Sequence, residues 1–248
     1  MRAVMAGRGV SRVGTVEDGS PKRSSLGLSV FGAIKKDILY AELQPGEQLR
    51  LRVLTERYGC GASPIREALN QLASDGWVDR FDKRGFFVAE TSPEEFEDIL
   101  TNRCFLEAEA LRRSIRLGDE AWEEQVLLAH HRMNRVPRFG PEESSDINRE
   151  WEEAHKRFHM TLISACGSPI LLANCEKLYE LNIRYRFQSR KLSRRSRSVN
   201  VEHEAIKDLV LAKRTEEAVE ALKSHYLRTG SFLFEAASAE ADGRDVTS

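Results

Sequence analysis

What this chain lacks narrows its class before any motif is considered. No stretch is apolar over the roughly 20 residues that a membrane-spanning helix needs, and the opening MRAVMAGRGVSRVGT has no apolar core of the kind a secretion signal carries. Cysteine is scarce: Cys60, Cys104, Cys166 and Cys175 form no CxxC pair and no regular framework. A disulfide scaffold is thereby excluded, and reduced thiols in a cytoplasmic protein are the expectation. An excess of one charge is missing too. The 38 Lys and Arg against 39 Asp and Glu leave a net charge of −1, so any attraction to nucleic acid has to come from local patches. No internal repeat is present. What is abundant is material for packed helices: 41% hydrophobic residues suffice for real cores, and 31% charged residues suit a soluble, helix-rich surface. At 248 residues the chain has room for one large or two modest domains.

Periodicity divides the chain unequally. Residues 1–25, rich in Gly, Ser, Arg and Lys without a period, are expected to form a disordered arm, and 238–248 a disordered tail. Val30, Phe31, Ile34, Ile38 and Leu39 form a helical stripe that LQPGEQL breaks with a Pro-Gly turn. RVLTERY from Arg52 is a short helix stopped by Gly59. In GASPIREALNQLASDGW, Ser63 suits an N-cap and Pro64 the first helical position, while Ile65, Ala68, Leu69, Leu72 and Ala73 complete an apolar face ended by Gly76. WVDRF and FFVAE then flank DKRG as a hairpin with glycine at its turn. Three helices followed by a hairpin is the order of a winged helix-turn-helix, placed at 26–91. From the capping box Ser92-Pro93-Glu94-Glu95 onward, apolar residues recur at helical spacing with breakers between them. Residues 92–237 therefore read as an all-α bundle of about six helices. The fold class expected is mostly α: a winged helix-turn-helix followed by a helical bundle.

On the Ser63 helix the side opposite the apolar face carries Arg66, Asn70 and Gln71, long or amide-bearing side chains able to reach phosphates and base edges. Arg52, Lys83 and Arg84 add positive charge around it. A plain solvated helix face fits the same pattern. The order and spacing of PGEQLR, LTERYG, ASPIREALNQLASDGWVDR and RGFFV over about residues 28–90 are similar to the winged-helix domain of GntR-family transcriptional regulators. That resemblance implies DNA contacts at Arg52, Ser63, Arg66 and Gly85. One departure stands out: the family usually has arginine just before the Ser/Thr-Pro step, where this chain has Ala62.

Among six histidines, His155 and His159 in WEEAHKRFHMTL are four residues apart, so on a helix both rings share one face. Two such rings can grip a metal ion or can be ordinary half-buried residues. His203 and His225 sit in later helices, and His130 and His131, adjacent, point in different directions. The bundle half resembles the FCD ligand-binding domain of the FadR branch of the family, over about residues 93–237. The hallmarks are met at Arg103 with Glu107, His155 to His159, Glu202-His203 and His225. The resemblance implies a divalent metal, zinc or else nickel, on His155, His159, His203 and His225. His155 replaces the aspartate usual there, removing one negative charge and favouring a softer ion. The resemblance also points Arg103 into a cavity, to clamp an effector carboxylate. Trp151-Glu152 and the ACGS stretch at 165–168 resemble the carbon-starvation-induced, CsiR-like branch, which answers to a small dicarboxylate, glutarate.

These expectations combine into a ligand-responsive regulator, in the first instance a repressor, that binds a palindromic operator in double-stranded DNA as a homodimer. A metal-dependent hydrolase fused to a DNA-binding module is the alternative. Its H-x-x-x-H would need a glutamate after the first histidine as general base, and Lys156 stands there instead. A purely architectural DNA-binding protein fits neither the histidine constellation nor the near-neutral charge. The basic run 184–198 is expected to be a solvated helix end and loop, with Arg184 or Arg186 as cavity candidates.

Overall fold

The computed structural model describes residues 21–140, 147–188 and 199–242. Residues 1–20 and 243–248, most of the expected arm and tail, and 189–198 of the basic run lie outside the described residues. Helix α1 (Pro21–Leu39) begins inside the stretch expected as an arm, and Pro21 suits its first position. It buries Val30, Ile34 and Ile38 one turn apart. Helix α2 (Leu51–Tyr58) ends where Gly59 takes a left-handed φ of 63°, its N–H returning to the Thr55 carbonyl. Helix α3 (Ala62–Ser74) presents Ile65, Ala68, Leu69 and Leu72 to the same core.

The start of α3 corrects the expected cap. Gly61, not Ser63, is the N-cap, with extended backbone and no capping side chain. Ser63 already lies in the first turn, and its hydroxyl is 3.4 Å from Glu67. Pro64 is tolerated there because first-turn N–H groups have no helical partner. Strands β1 (Val78–Phe81) and β2 (Gly85–Val88) pair antiparallel, with Val78 opposite Val88 and Phe81 opposite Gly85. Lys83 and Gly85, at φ 61° and 93°, turn the hairpin. Gln48 bridges Phe87 from the other side, so β2 is flanked on both edges.

Ser92 caps α4 (Pro93–Leu117), accepting from the Glu95 N–H at 3.1 Å. The return bond of the expected capping box is replaced, since the Ser92 N–H donates to the Tyr185 hydroxyl at 3.4 Å and that hydroxyl donates to Glu95. The bundle continues with α5 (Glu120–Asn134), α6 (Arg149–Ile163), α7 (Pro169–Gln188), α8 (Val199–Leu211) and α9 (Thr215–Asp242). The last helix runs beyond residue 237 into the stretch expected as a tail; its end, AASAEAD, is rich in the best helix former, and extending an existing helix is easy. Helix α4 packs on α7 and α9, α5 on α6, and α8 on α9. At Gly230 the α4–α9 approach is so close that an added Cβ would lie 2.4 Å from Leu100. A second contiguous core, including Leu111, Phe158, Leu162 and Ile206, fills the bundle. Helix α7 also meets α1, where Lys35 and Glu180 pair at 2.7 Å. Among the described residues no helix is long and apolar enough to cross a membrane, and all four cysteines are free.

Candidate metal centre and nucleic-acid interface

Three helices bring four histidines to one point. His155 and His159 are one turn apart on α6, His203 comes from α8 and His225 from α9, and all four are buried. Their Nε2 atoms converge: His155–His159 is 3.0 Å, His155–His203 3.2 Å, and His203 lies 3.3 Å from both His159 and His225. A tetrahedral ion at about 2.0–2.1 Å from each nitrogen separates its ligands by about 3.3 Å. The donor set therefore fits a borderline-soft divalent ion such as zinc or nickel.

The opposite ring nitrogens are held from behind. His155 Nδ1 is 2.7 Å from the Tyr179 hydroxyl, His159 Nδ1 2.9 Å from Tyr226, and His225 Nδ1 2.8 Å from Glu202. His203 Nδ1 is buried without a hydrogen-bond partner among the described residues. Trp151 stacks on His155 at 4.5 Å between centroids. Burial, then repulsion from neighbouring histidines, holds His155, His159 and His203 well below the ordinary imidazole value. Such rings stay neutral, the form that binds a metal.

Arg103 lies on α4 beside this centre, only 3% exposed. Its Nε donates to Glu107 at 2.6 Å and Nη1 to Asn182 at 2.9 Å, while Nη2 is buried without a partner among the described residues. The guanidinium carbon sits 4.4 Å from the Tyr179 ring centre and 4.0 Å from that of Tyr226. Burial opposes its charge, but Glu107 and the two phenols more than compensate and raise its pKa. The adjoining cavity is lined by Arg103, Arg138, Asn182, Arg186, His225 and Thr229, among others. Arg186 donates to Glu152 at 2.5 Å, and both are buried. Burial pushes the Glu152 carboxyl up while Arg186 pulls against it. Burial and the adjacent carboxylates also push both phenols, Tyr179 and Tyr226, well above their usual value, so they keep their protons.

The two arginines that sequence left equivalent separate here. Arg186 faces the cavity, whereas Arg184 is turned away and donates to the Ala89 and Glu90 carbonyls at the join of the two halves. The basic run is thus not solvated at its start. His130 is buried near Asn134 and His131 is exposed; neither joins the four. Lys156, where a hydrolase needs its base, points to Glu176 and Glu180 at 2.8 and 2.9 Å. Sequence reasoning missed Tyr179, Tyr226, Asn182 and Arg138. Glu152 had a signal, lying three residues before His155 on the same helical face.

The other candidate residues all lie on the winged half and all are exposed: Arg52 on α2, Ser63, Arg66 and Asn70 on α3, and Lys83, Arg84 and Gly85 at the hairpin turn. Ser63, Arg66 and Asn70 follow one another at helical spacing, opposite the buried face of α3. Arg84 rests 5.3 Å from the ring centres of both Phe81 and Phe87, and its carbonyl accepts from Gln48 at 3.0 Å.

Residues 98–228 match the family model of the FCD domain, and residues 26–88 that of bacterial regulatory proteins of the gntR family. The chain is 34% identical over 200 residues to the HTH-type transcriptional repressor GlaR of Escherichia coli (strain K12), covering 78% of this chain and 89% of that protein. It is 33% identical over 197 residues to BphR of Paraburkholderia xenovorans (strain LB400), an uncharacterized HTH-type transcriptional regulator, covering 79% and 80%. Among solved structures, E. coli McbR/YncC aligns with a TM-score of 0.71 at 19% identity, over 85% of this chain and 97% of that one. A putative GntR regulator from Rhodococcus sp. RHA1 aligns at 0.69 and 20% identity, over 86% and 99%. The relatives are named as transcriptional regulators, not as enzymes.

Proposed function

This chain belongs to the GntR family of bacterial regulatory proteins and carries an FCD domain; from that membership we propose a cytoplasmic, ligand-responsive repressor whose bundle senses a small carboxylate beside a bound metal. As a family member it is a DNA-binding transcriptional regulator with a ligand-binding domain. The finer reading is carried by one observation: four histidine Nε2 atoms converge next to Arg103, whose buried Nη2 has no partner among the described residues.

Four neutral imidazoles leave a divalent ion's charge uncancelled, and a buried cation is costly without an anionic partner. A zinc or nickel ion held by His155, His159, His203 and His225 supplies positive charge that attracts a carboxylate. Arg103 offers a buried N–H to the same anion, and Arg186 adds charge on the cavity wall. A second carboxylate would find these guanidiniums, which supports a dicarboxylate such as glutarate as the effector and a CsiR-like reading of the chain. The repressor reading is supported by the name of the E. coli relative.

On the DNA side, α3 supplies Arg66 and Asn70 for base edges, with Ser63 and Arg52 on phosphates and Lys83, Arg84 and Gly85 at the wing. A single recognition helix covers few base pairs, so a homodimer on a palindrome is the expected form. Ala62 removes one contact usual in the family, so the operator should differ from theirs. Effector binding acts on DNA only through its differential affinity for two arrangements of the halves. Native mass spectrometry of the purified protein, with and without a dicarboxylate panel, reports oligomer, metal and ligand together. A metal-free monomer that binds no acid overturns this reading.

A further inference from the structure

We infer that Tyr179 and Tyr226 are positioning residues of the histidine centre, each fixing the tautomer of one histidine and tying it through a glutamate to an arginine on the cavity wall. The inference rests on the reading of the four histidines as metal ligands.

Two chains of side chains run in the same order. In one, Arg186 Nη2 donates to Glu152 Oε2 at 2.5 Å, the Tyr179 hydroxyl is 3.0 Å from Glu152 Oε1, and the same hydroxyl is 2.7 Å from His155 Nδ1. In the other, Arg103 Nε donates to Glu107 Oε1 at 2.6 Å, the Tyr226 hydroxyl is 2.5 Å from Glu107 Oε2, and it is 2.9 Å from His159 Nδ1. Proton positions follow from donor counting. An ionised carboxylate only accepts, and a phenol has one proton to give. With that proton directed at the glutamate, the phenol oxygen meets the imidazole as an acceptor. His155 and His159 therefore carry hydrogen on Nδ1, and their Nε2 lone pairs point to the shared centre. Glu152 Oε1, 3.5 Å from His155 Nδ1, favours the same assignment. Arg186 Nη1 lies 3.4 Å from that nitrogen, but the shorter phenol contact dominates.

The repetition is not imposed by sequence spacing. Glu152 shares α6 with His155, whereas Glu107 comes from α4 and must reach His159 through α9. Arg103 joins the two chains by lying between both tyrosine rings. His203 is the contrast, its buried Nδ1 held by none of the described residues. Hydrogen-bond chains polarise along their length, and outer partners tune ligand basicity. An anion that draws Arg103 or Arg186 away from its glutamate leaves that carboxylate a stronger acceptor, the phenol a stronger acceptor in turn, and the histidine a better metal ligand. Metal and effector then strengthen each other, by equal factors.

The test uses full-length protein and Co²⁺ as probe. In metal-free protein, ¹⁵N NMR of the histidine rings should report Nδ1–H for His155 and His159. Tyr179→Phe should release only the first and Tyr226→Phe only the second. Each variant should weaken Co²⁺ binding by about 10–100-fold. Arg186→Lys, which loosens the hold on Glu152, should strengthen Co²⁺ binding, an effect lost in Tyr179→Phe and kept in Tyr226→Phe, a pattern that a merely structural role would not produce. The two chains are separate trials, so one variant that fails to fold leaves the other decisive. Wild-type protein that binds no Co²⁺ overturns the metal reading and this inference with it. Wild-type binding matched by both phenylalanine variants, with tautomers unchanged, overturns the tyrosine roles alone.

Discussion

The two halves of this protein keep their functional groups in opposite places. On the winged half every candidate residue, from Arg52 to Gly85, is exposed, and the apolar core beneath α3 is independent of them. In the bundle the candidates are the core: His155, His159, His203, His225, Arg103, Glu107, Glu152 and Arg186 are all 5% exposed or less. A surface that waits for DNA is already solvated and costs the fold little. A buried polar centre must satisfy itself internally or acquire a ligand, because each unpaired group carries its full desolvation cost. The same kinds of side chain should therefore affect recognition alone in one half, and recognition together with stability in the other.

The largest effect expected is loss of the metal. Chelation or His159→Ala should remove about one transition-metal ion per subunit and lower stability by on the order of several kcal/mol, since an ion held by the proposed ligands would cross-link α6, α8 and α9. Calorimetric melting with elemental analysis reads both quantities. Acid should act in the same direction. His155, His159 and His203 are held well below their ordinary value by burial, so on acidification the unfolded chain takes up protons first. Stability should be full above about pH 6.5 and fall as pH drops below it. A melting temperature flat from pH 7.5 to 5.5, or undiminished metal in His159→Ala, would contradict a buried ligand set.

Next is the ion pair behind the centre. Arg186→Ala strands the Glu152 carboxylate in the interior and should cost about 3–5 kcal/mol, the figure for breaking a buried pair. The exposed Lys36–Glu153 pair, 2.9 Å long with both side chains about half exposed, is the control. Its removal should cost about 0–1 kcal/mol. Equal losses in urea titrations of the two variants would erase the contrast between buried and exposed groups on which the comparison of the halves rests.

This contrast also marks what sequence could express. Elements were legible because each has a period: Ile65, Ala68, Leu69 and Leu72 face one core, and the Ser92 box opens α4 where its spacing says. The histidines were legible as a motif whose resemblance supplied their convergence. Tyr179 and Tyr226 were not, because their partners lie on other helices and no spacing relates them. Nor could Arg184 and Arg186 be told apart. Two residues apart on α7, they point about 200° from each other, and only packing decides which side meets the cavity. Ser63 reads as a cap by residue type, but Gly61, with no side chain to offer, takes that place through its backbone.

On the winged half the effects should move from stability to recognition. Arg66→Ala should leave melting unchanged and weaken operator binding by about 1–3 kcal/mol, relaxing preference at one position in each half-site. Fluorescence anisotropy on operator and scrambled duplexes separates the two readings of this face. Unchanged affinity for both would make it an ordinary solvated surface.

The smallest effect belongs to Lys83, at the hairpin tip. It stands in the left-handed region at φ 61°, exposed and far from either core. A phosphate contact carries charge but no sequence information, so Lys83→Ala should weaken operator and scrambled DNA alike. Its mark is in the salt dependence: with one phosphate fewer neutralised, the slope of log K against log salt should fall by about 1. Stability should not move, since no buried group depends on this side chain. Arg84, beside it, is held against Phe81 and Phe87. Replacing Arg84 with Ala should reduce the same slope and also uncover two aromatic rings. If Lys83→Ala instead changes the ranking of operator sequences, the wing reads bases, and the division between a positioning wing and a reading helix has to be redrawn.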